Sequence, residues 1–289
     1  MSGTRPAPGA PLAVITGTTH GIGRVTAREL ARGGARVLML CRDVNAAAAV
    51  AQEIRAQVPG AFVDWVACDL AALSSVRAAA TAVRERAPVI EFLINNAGMA
   101  SLTHRLSPDG YELTFASNHL GPFLLTGLLL DRMAPSGRIV NVASRAHVRG
   151  VMDLDTVTDP RARYRPLAAY ARSKLANVMH TMALARRLDG SRVTANCLHP
   201  GVVATHLLPL WVRLLQRLRS REVFDEERGA RTTLEVARAP ALAGISGEYF
   251  DEHGHVRPAS DLARDRERQE ELWRRSETWT GWSFAALSR

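Results

Sequence analysis

The chain has 289 residues, 47% of them hydrophobic, and a formal net charge of +9. That length supports one large α/β domain, and no uninterrupted apolar run reaches the roughly 18 residues of a membrane-spanning helix. The positive charge is spread over arginines interleaved with acids, with neither zinc-ligand spacing nor a basic stripe carrying aromatics, so no nucleic-acid surface is expected.

Residues 1–11 are rich in Pro, Gly and Ala and lack the apolar segment of a signal peptide, so they read as a flexible lead into a single domain over 12–289. Leu12 to Thr16 is a short apolar strand, followed by glycines and a helix from Ile22 to Arg32. Arg36 to Cys41 is the second strand, with an Ala-rich helix from Asn45 to Gln57. Phe62 to Cys68 is the third strand, with a helix from Leu73 to Arg86. Phe92 to Asn95 is the fourth. A long helix over Leu113 to Met133 precedes a strand from Arg138 to Ala143. Tyr170 to Leu188 is helical and Val193 to Leu198 is the next strand. The segment from Leu207 to Arg221 interrupts this alternation, and a charged helical tail follows Asp261, carrying Trp273, Trp279 and Trp282. Near-continuous apolar strands alternating with helices imply a single-domain α/β fold, a Rossmann-type doubly wound parallel sheet with helices on both faces. Cys41, Cys68 and Cys197 are far apart and without metal or C-x-x-C spacing; they read as reduced core residues of a cytoplasmic protein, and no metal site is expected.

Between the first strand and its helix stands Gly17-Thr18-Thr19-His20-Gly21-Ile22-Gly23. A strand-to-helix junction that binds pyrophosphate needs a tight turn, close backbone approach and a helix N-terminus aimed at the anion, which these glycines supply. At the end of the second strand a carboxylate favours the ribose 2'-hydroxyl of NAD, whereas arginine suits a 2'-phosphate. Here the carboxylate position is Cys41, and Arg42 follows, which favours NADP over NAD. The chain contains a single lysine, Lys174, against 36 arginines. It lies four residues after Tyr170, on the same helix face. An ammonium beside a phenol lowers its pKa from about 10 and makes a general acid/base.

These motifs, together with Asn95-Asn96-Ala97-Gly98, Asn118, Ser144 and Pro200-Gly201 with Thr205, resemble the short-chain dehydrogenase/reductase superfamily over nearly the whole chain. The runs Cys41-Arg42-Asp43, Ser117 to Gly121, Ser173 to Asn177, Leu198 to Val203 and Leu272-Trp273 resemble its retinol-dehydrogenase-like branch, as does the long interval of 26 positions from Ser144 to Tyr170. Membrane-bound animal members carry an N-terminal anchor, and none is expected in this chain. The resemblance implies Tyr170 as the proton donor or acceptor, Lys174 as its pKa-lowering partner and ribose ligand, Ser144 as the hydrogen-bond donor to the substrate oxygen and Asn118 as the holder of a proton-relaying water. It implies cofactor contacts from Gly17, Thr19, His20, Gly21, Ile22, Gly23, Arg42, Asp69, Leu70, Asn95, Ala97, Gly98, Tyr170, Lys174, Pro200, Gly201, Val202 and Thr205. It also implies a homo-dimer or homo-tetramer.

The expected activity is therefore NADP(H)-dependent hydride transfer between nicotinamide and a carbonyl or alcohol of a lipophilic or bulky small molecule. An NADP-sensing binding protein without turnover, or a double-bond reductase resembling protochlorophyllide reductase, is the alternative. Substrate choice is expected from Ala146 to Leu167 and from His206 to Val223. The stripe Leu207, Leu208, Trp211, Leu214, Leu215 and Leu218, flanked by arginines, fits a packed helix, a lid or a peripheral membrane contact, and the sequence leaves these open.

Overall fold

The computed structural model describes residues 9–159, 161–201 and 225–285. Strand β1 (Leu12–Thr16) leads to helix α1 (Gly21–Arg32), β2 (Arg36–Cys41), α2 (Val44–Gln57), β3 (Val63–Ala67), α3 (Leu73–Arg86) and β4 (Ile90–Asn95). Next come α4 (Leu113–Phe115), a π turn (Ala116–Leu120), α5 (Gly121–Leu129), β5 (Met133–Val142), α6 (Pro166–Arg187) and β6 (Thr194–Leu198). The chain continues through α7 (Glu226–Arg238), β7 (Tyr249–Phe250), β8 (Val256–Arg257), α8 (Asp261–Arg264) and α9 (Arg266–Thr280). The eight strands form one sheet in the order β3-β2-β1-β4-β5-β6-β7-β8, parallel except where β7 meets β8.

The two-residue period of a strand sorts its side chains between two cores. Ala13, Ile15, Val37 and Met39 pack under α1, α2 and α7. Leu12, Val14, Leu38 and Leu40 pack under α3, α5 and α6. Both faces of β1 and β2 are thereby covered, which is why these strands carry apolar residues at successive positions. The expected fold class is the observed one.

Three features differ from the sequence reading. The long helix is broken near its start by the π turn that contains Asn118. Strand β5 begins at Met133, directly after the helical run, with an irregular register against Ile90 and Phe92. Helix α7 and the strands β7 and β8 were not anticipated. The helical run Leu113–Arg132 is long and apolar enough, by composition alone, to cross a membrane, although no stretch of it is uninterrupted. It is a core helix: 78% of its apolar window is buried inside the protein. Cys41, Cys68 and Cys197 are free and buried, as expected.

Helix ends also differ in a way that bears on the site. The Asp43 carboxylate accepts from the Asn45 and Ala46 N–H groups at 3.0 Å and so caps α2. Asp225 and Asp265 cap α7 and α9 in the same way. No side chain caps α1, and its first turn carries no acid, so its N-terminal amides stay available to an anion.

Candidate active site

A cleft of about 1630 Å³ opens at the carboxyl ends of the parallel strands. It lies where the strand order reverses between β1 and β4, the usual position for ligands in open α/β sheets. One end is built from the glycine loop after β1. Gly17 has φ +70° and packs so closely on the turn after β4 that a Cβ would sit 2.8 Å from the Ala97 Cα. A Cβ on Gly23 would lie 2.2 Å from the Gly17 carbonyl oxygen. Asn96 ties the two turns together, its amide donating to the Thr16 and Gly17 carbonyls at 2.9 and 3.0 Å. The outcome is a smooth main-chain cradle facing the uncapped end of α1, which fits the phosphates of a dinucleotide.

Gly17, Thr19, His20, Gly21, Ile22, Gly23, Arg42, Asp69, Leu70, Ala97, Gly98, Ser144, Tyr170, Lys174, Pro200 and Gly201 all line this one cleft. Arg42 is exposed at its edge. Its neighbour Asp43 is engaged in capping α2, so the two do not form the surface pair that would occupy both. Among the described residues no carboxylate forms an ion pair with Arg42. The Cys41 thiol lies 3.0 Å from the Thr18 hydroxyl and is pushed up by burial, so it adds no negative charge beside Arg42; the Asp43 carboxylate, which caps α2, also lines the cleft. The Asp69 carboxylate closes a turn by accepting from the Ala71 N–H at 3.0 Å.

Two expected residues stand outside the lining. The Asn95 amide donates to the Thr126 hydroxyl and to the Asn141 side chain at 2.9 and 2.8 Å, and Asn141 donates on to Thr181 at 2.8 Å. Asn95 therefore anchors β4 to β5, α5 and α6 rather than facing the cofactor cleft. The Asn118 side chain is engaged as well. It accepts from the Met99 N–H and donates to the Met99 carbonyl, both at 2.8 Å, and donates to Ser173 at 3.0 Å. These bonds pin the turn after β4 against α6. Val202, Thr205 and the 207–221 stripe lie outside the described residues.

At the other end of the cleft, Ser144 stands two residues beyond β5 in an extended conformation, and its hydroxyl accepts from the Ala146 N–H at 3.2 Å. Tyr170 lines the same cleft as Ser144, whose side chain lies close enough to oppose part of the rise that burial imposes on the phenol. The Lys174 ammonium lies 5.8 Å from the Tyr170 ring centre, where it donates to the Val142 carbonyl at 2.8 Å. The expectation that Lys174 lowers the Tyr170 pKa is not met in this structure. Burial raises the phenol, offset in part by the Ser144 side chain, and pulls Lys174 down to about 8. Desolvation disfavours both charged forms. One neighbour of this group escaped the sequence reading. His147 is buried three residues after Ser144, and its ring reaches back to the Ser144 carbonyl at 2.8 Å. The i+3 spacing was visible, but its burial was not.

A phenol, a hydroxyl and an ammonium converging beside a phosphate cradle on a doubly wound sheet define an oxidoreductase of the nucleotide-dependent α/β class. The chain belongs to the short chain dehydrogenase family, whose model matches residues 11–211, and within it is retinol-dehydrogenase-like. It is 40% identical to retinol dehydrogenase 13 of Homo sapiens over 279 residues, covering 93% of this chain and 84% of the relative. Among solved structures it resembles an uncharacterised protein from Mycobacterium Paratuberculosis, with 34% identity, a TM-score of 0.77 and coverage of 97% and 99% of the two chains. It also resembles a short chain dehydrogenase from Burkholderia cenocepacia in complex with NADP, with 26% identity, a TM-score of 0.70 and coverage of 84% and 96%.

Proposed function

We propose that the protein transfers a hydride between NADP(H) and the carbonyl or alcohol carbon of a lipophilic or bulky small molecule. The observation that carries this reading is the convergence of Ser144, Tyr170 and Lys174 in the same cleft as an exposed Arg42 that forms no ion pair among the described residues. Support for a phosphorylated cofactor comes from Arg42, the main-chain cradle and the open N-terminus of α1. Support for a lipophilic substrate comes from Leu102, Val148 and Leu167, which line the mouth while 54%, 59% and 74% exposed.

When bound, the nicotinamide supplies or accepts the hydride. The protein handles the proton. With its pKa raised by burial, the Tyr170 phenol keeps its proton at neutral pH and can donate it to a substrate oxygen during reduction. Ser144 directs its hydroxyl to that oxygen and stabilises the charge that develops there. As the phenolate forms, the Lys174 ammonium stabilises it, and its own pKa of about 8 lets it give up a proton nearby. In the oxidative direction Tyr170 must first lose its proton, so alcohol oxidation should favour higher pH than carbonyl reduction.

The test is coenzyme consumption by the purified protein against a panel of aldehydes and ketones, including retinal and steroid ketones, with NADPH and NADH in parallel. NADPH is expected to be preferred, and Arg42→Ala to erase about tenfold or more of that preference while sparing NADH. Equal losses with both coenzymes would remove the 2'-phosphate contact from the account.

A further inference from the structure

We propose that His147 is a positioning residue for this reaction: its neutral imidazole clamps the Ser144 main chain so that the Ser144 hydroxyl stays aimed into the cleft it shares with Tyr170. The inference rests on the reading that Ser144 and Tyr170 carry the proton chemistry.

The Ser144 carbonyl accepts two hydrogen bonds from the same residue, one from the His147 main-chain N–H at 3.0 Å and one from the ring Nδ1 at 2.8 Å. A carbonyl can only accept, so Nδ1 carries a proton. The opposite nitrogen, Nε2, lies 3.3 Å from the Ser260 N–H, which can only donate, so Nε2 is bare. The two partners together select one neutral tautomer, and a proton added at Nε2 would confront the Ser260 N–H. The ring is 1% exposed and packs edge-on against Tyr249 of β7 at 4.7 Å, so it has no room to turn. Burial keeps it neutral.

Ser144 is otherwise held weakly for a residue that must aim a hydroxyl. It stands at the junction of β5 with the short 3-10 turn Arg145–Arg149, and its side chain accepts only the Ala146 N–H at 3.2 Å on the protein side. His147 couples that junction to β7 and to the Ser260 cap of α8, two elements on which the site does not otherwise draw. The clamp also bears on the proton donor, because Ser144 and Tyr170 line the same cleft and the Ser144 side chain opposes part of the rise that burial imposes on the phenol.

Two substitutions separate the two ring nitrogens. In His147→Asn the amide N–H replaces Nδ1 and keeps the bond to Ser144 while losing Ser260. In His147→Gln the amide oxygen replaces Nε2 and keeps Ser260 while losing Ser144. The expected result is a kcat for H147Q at least about tenfold below that of H147N, with similar KM for NADPH in both. In alcohol oxidation, the ionisation governing kcat/KM should move up by about half a pH unit or more in H147Q and less in H147N. Equal losses in the two variants, or an unmoved pH profile in H147Q, would reduce His147 to a core residue.

Should either variant fail to fold, the tautomer of His147 in the wild type decides, read from the histidine 15N spectrum. If the wild-type protein turns over no carbonyl, the proposed function fails. The clamp is then read from the same spectrum. A bare Nε2 in a neutral ring between pH 6 and 8 supports the clamp, and an Nε2–H ring contradicts it.

Discussion

Lys174 shows how a residue useful to the site works against the fold. Its pKa is pulled to about 8 from an ordinary 10.5 because the ammonium is buried, so the unfolded chain binds that proton more tightly than the folded one. The resulting destabilisation is fully present below pH 8 and fades as pH rises toward 10.5. Lys174→Met should therefore raise stability at pH 7 by roughly 1–3 kcal/mol in urea unfolding, with no gain near pH 10.5, while turnover is lost. A variant less stable than wild type at pH 7 would mean that the bond to the Val142 carbonyl outweighs desolvation. At this scale the sequence was informative wherever function needs a local pattern. The glycine loop, Arg42 after β2, and the Tyr170–Lys174 spacing all fall in the cleft as expected. It was uninformative where a side chain's role depends on partners distant in sequence. Asn95 and Asn118 were expected at the cofactor and the proton relay, yet their amides are engaged by Asn141, Thr126, Ser173 and Met99.

Among the elements, α5, α6 and the tail form one packed unit. Trp273 of α9 meets Phe123 edge-on at 5.0 Å, and Arg187 of α6 lies over the Trp273 ring at 3.9 Å. Trp282, just beyond α9, lies against Gly127 so closely that a Cβ there would fall 2.4 Å from the indole. In an open helix, glycine to alanine would stabilise by about 1 kcal/mol, but overpacking against a ring costs about 1–3 kcal/mol. Gly127→Ala should thus lower the melting temperature without altering KM for NADPH. The loss should largely vanish in a Trp282→Ala background, and a rise in melting temperature would show that the tail yields readily. The sequence marked this tail as charged and helical, but nothing there indicated its docking face. Strands β7 and β8 are two residues each, too short for a two-residue period to register, and α7 is rich in Arg, Glu and Thr, which mask its buried face.

For the whole molecule, acid stability should be set by histidine. His119, His147, His180 and His199 are all buried and all lowered from 6.5, His180 to about 3 and His199 to about 4, first by desolvation. A lowered histidine pKa means that the unfolded chain takes up protons that the folded chain refuses. Stability is then fully present above about pH 6.5 and is lost as pH falls, by up to about 5 kcal/mol per pH unit if all four act together. The carboxylates held low by arginines, such as Asp131 and Glu270, add to this only below about pH 4.5. Urea midpoints measured from pH 7.5 to pH 5 should fall steeply, and a flat profile would show that the histidines accommodate protons in place. The central claim, that Tyr170 is the proton donor of a site that binds NADPH independently of it, is tested most directly with Tyr170→Phe. NADPH affinity, read by the fluorescence of the bound coenzyme, should stay within about threefold of wild type while carbonyl turnover falls by about a thousandfold or more. Turnover retained with a phenyl ring at position 170 would contradict the account.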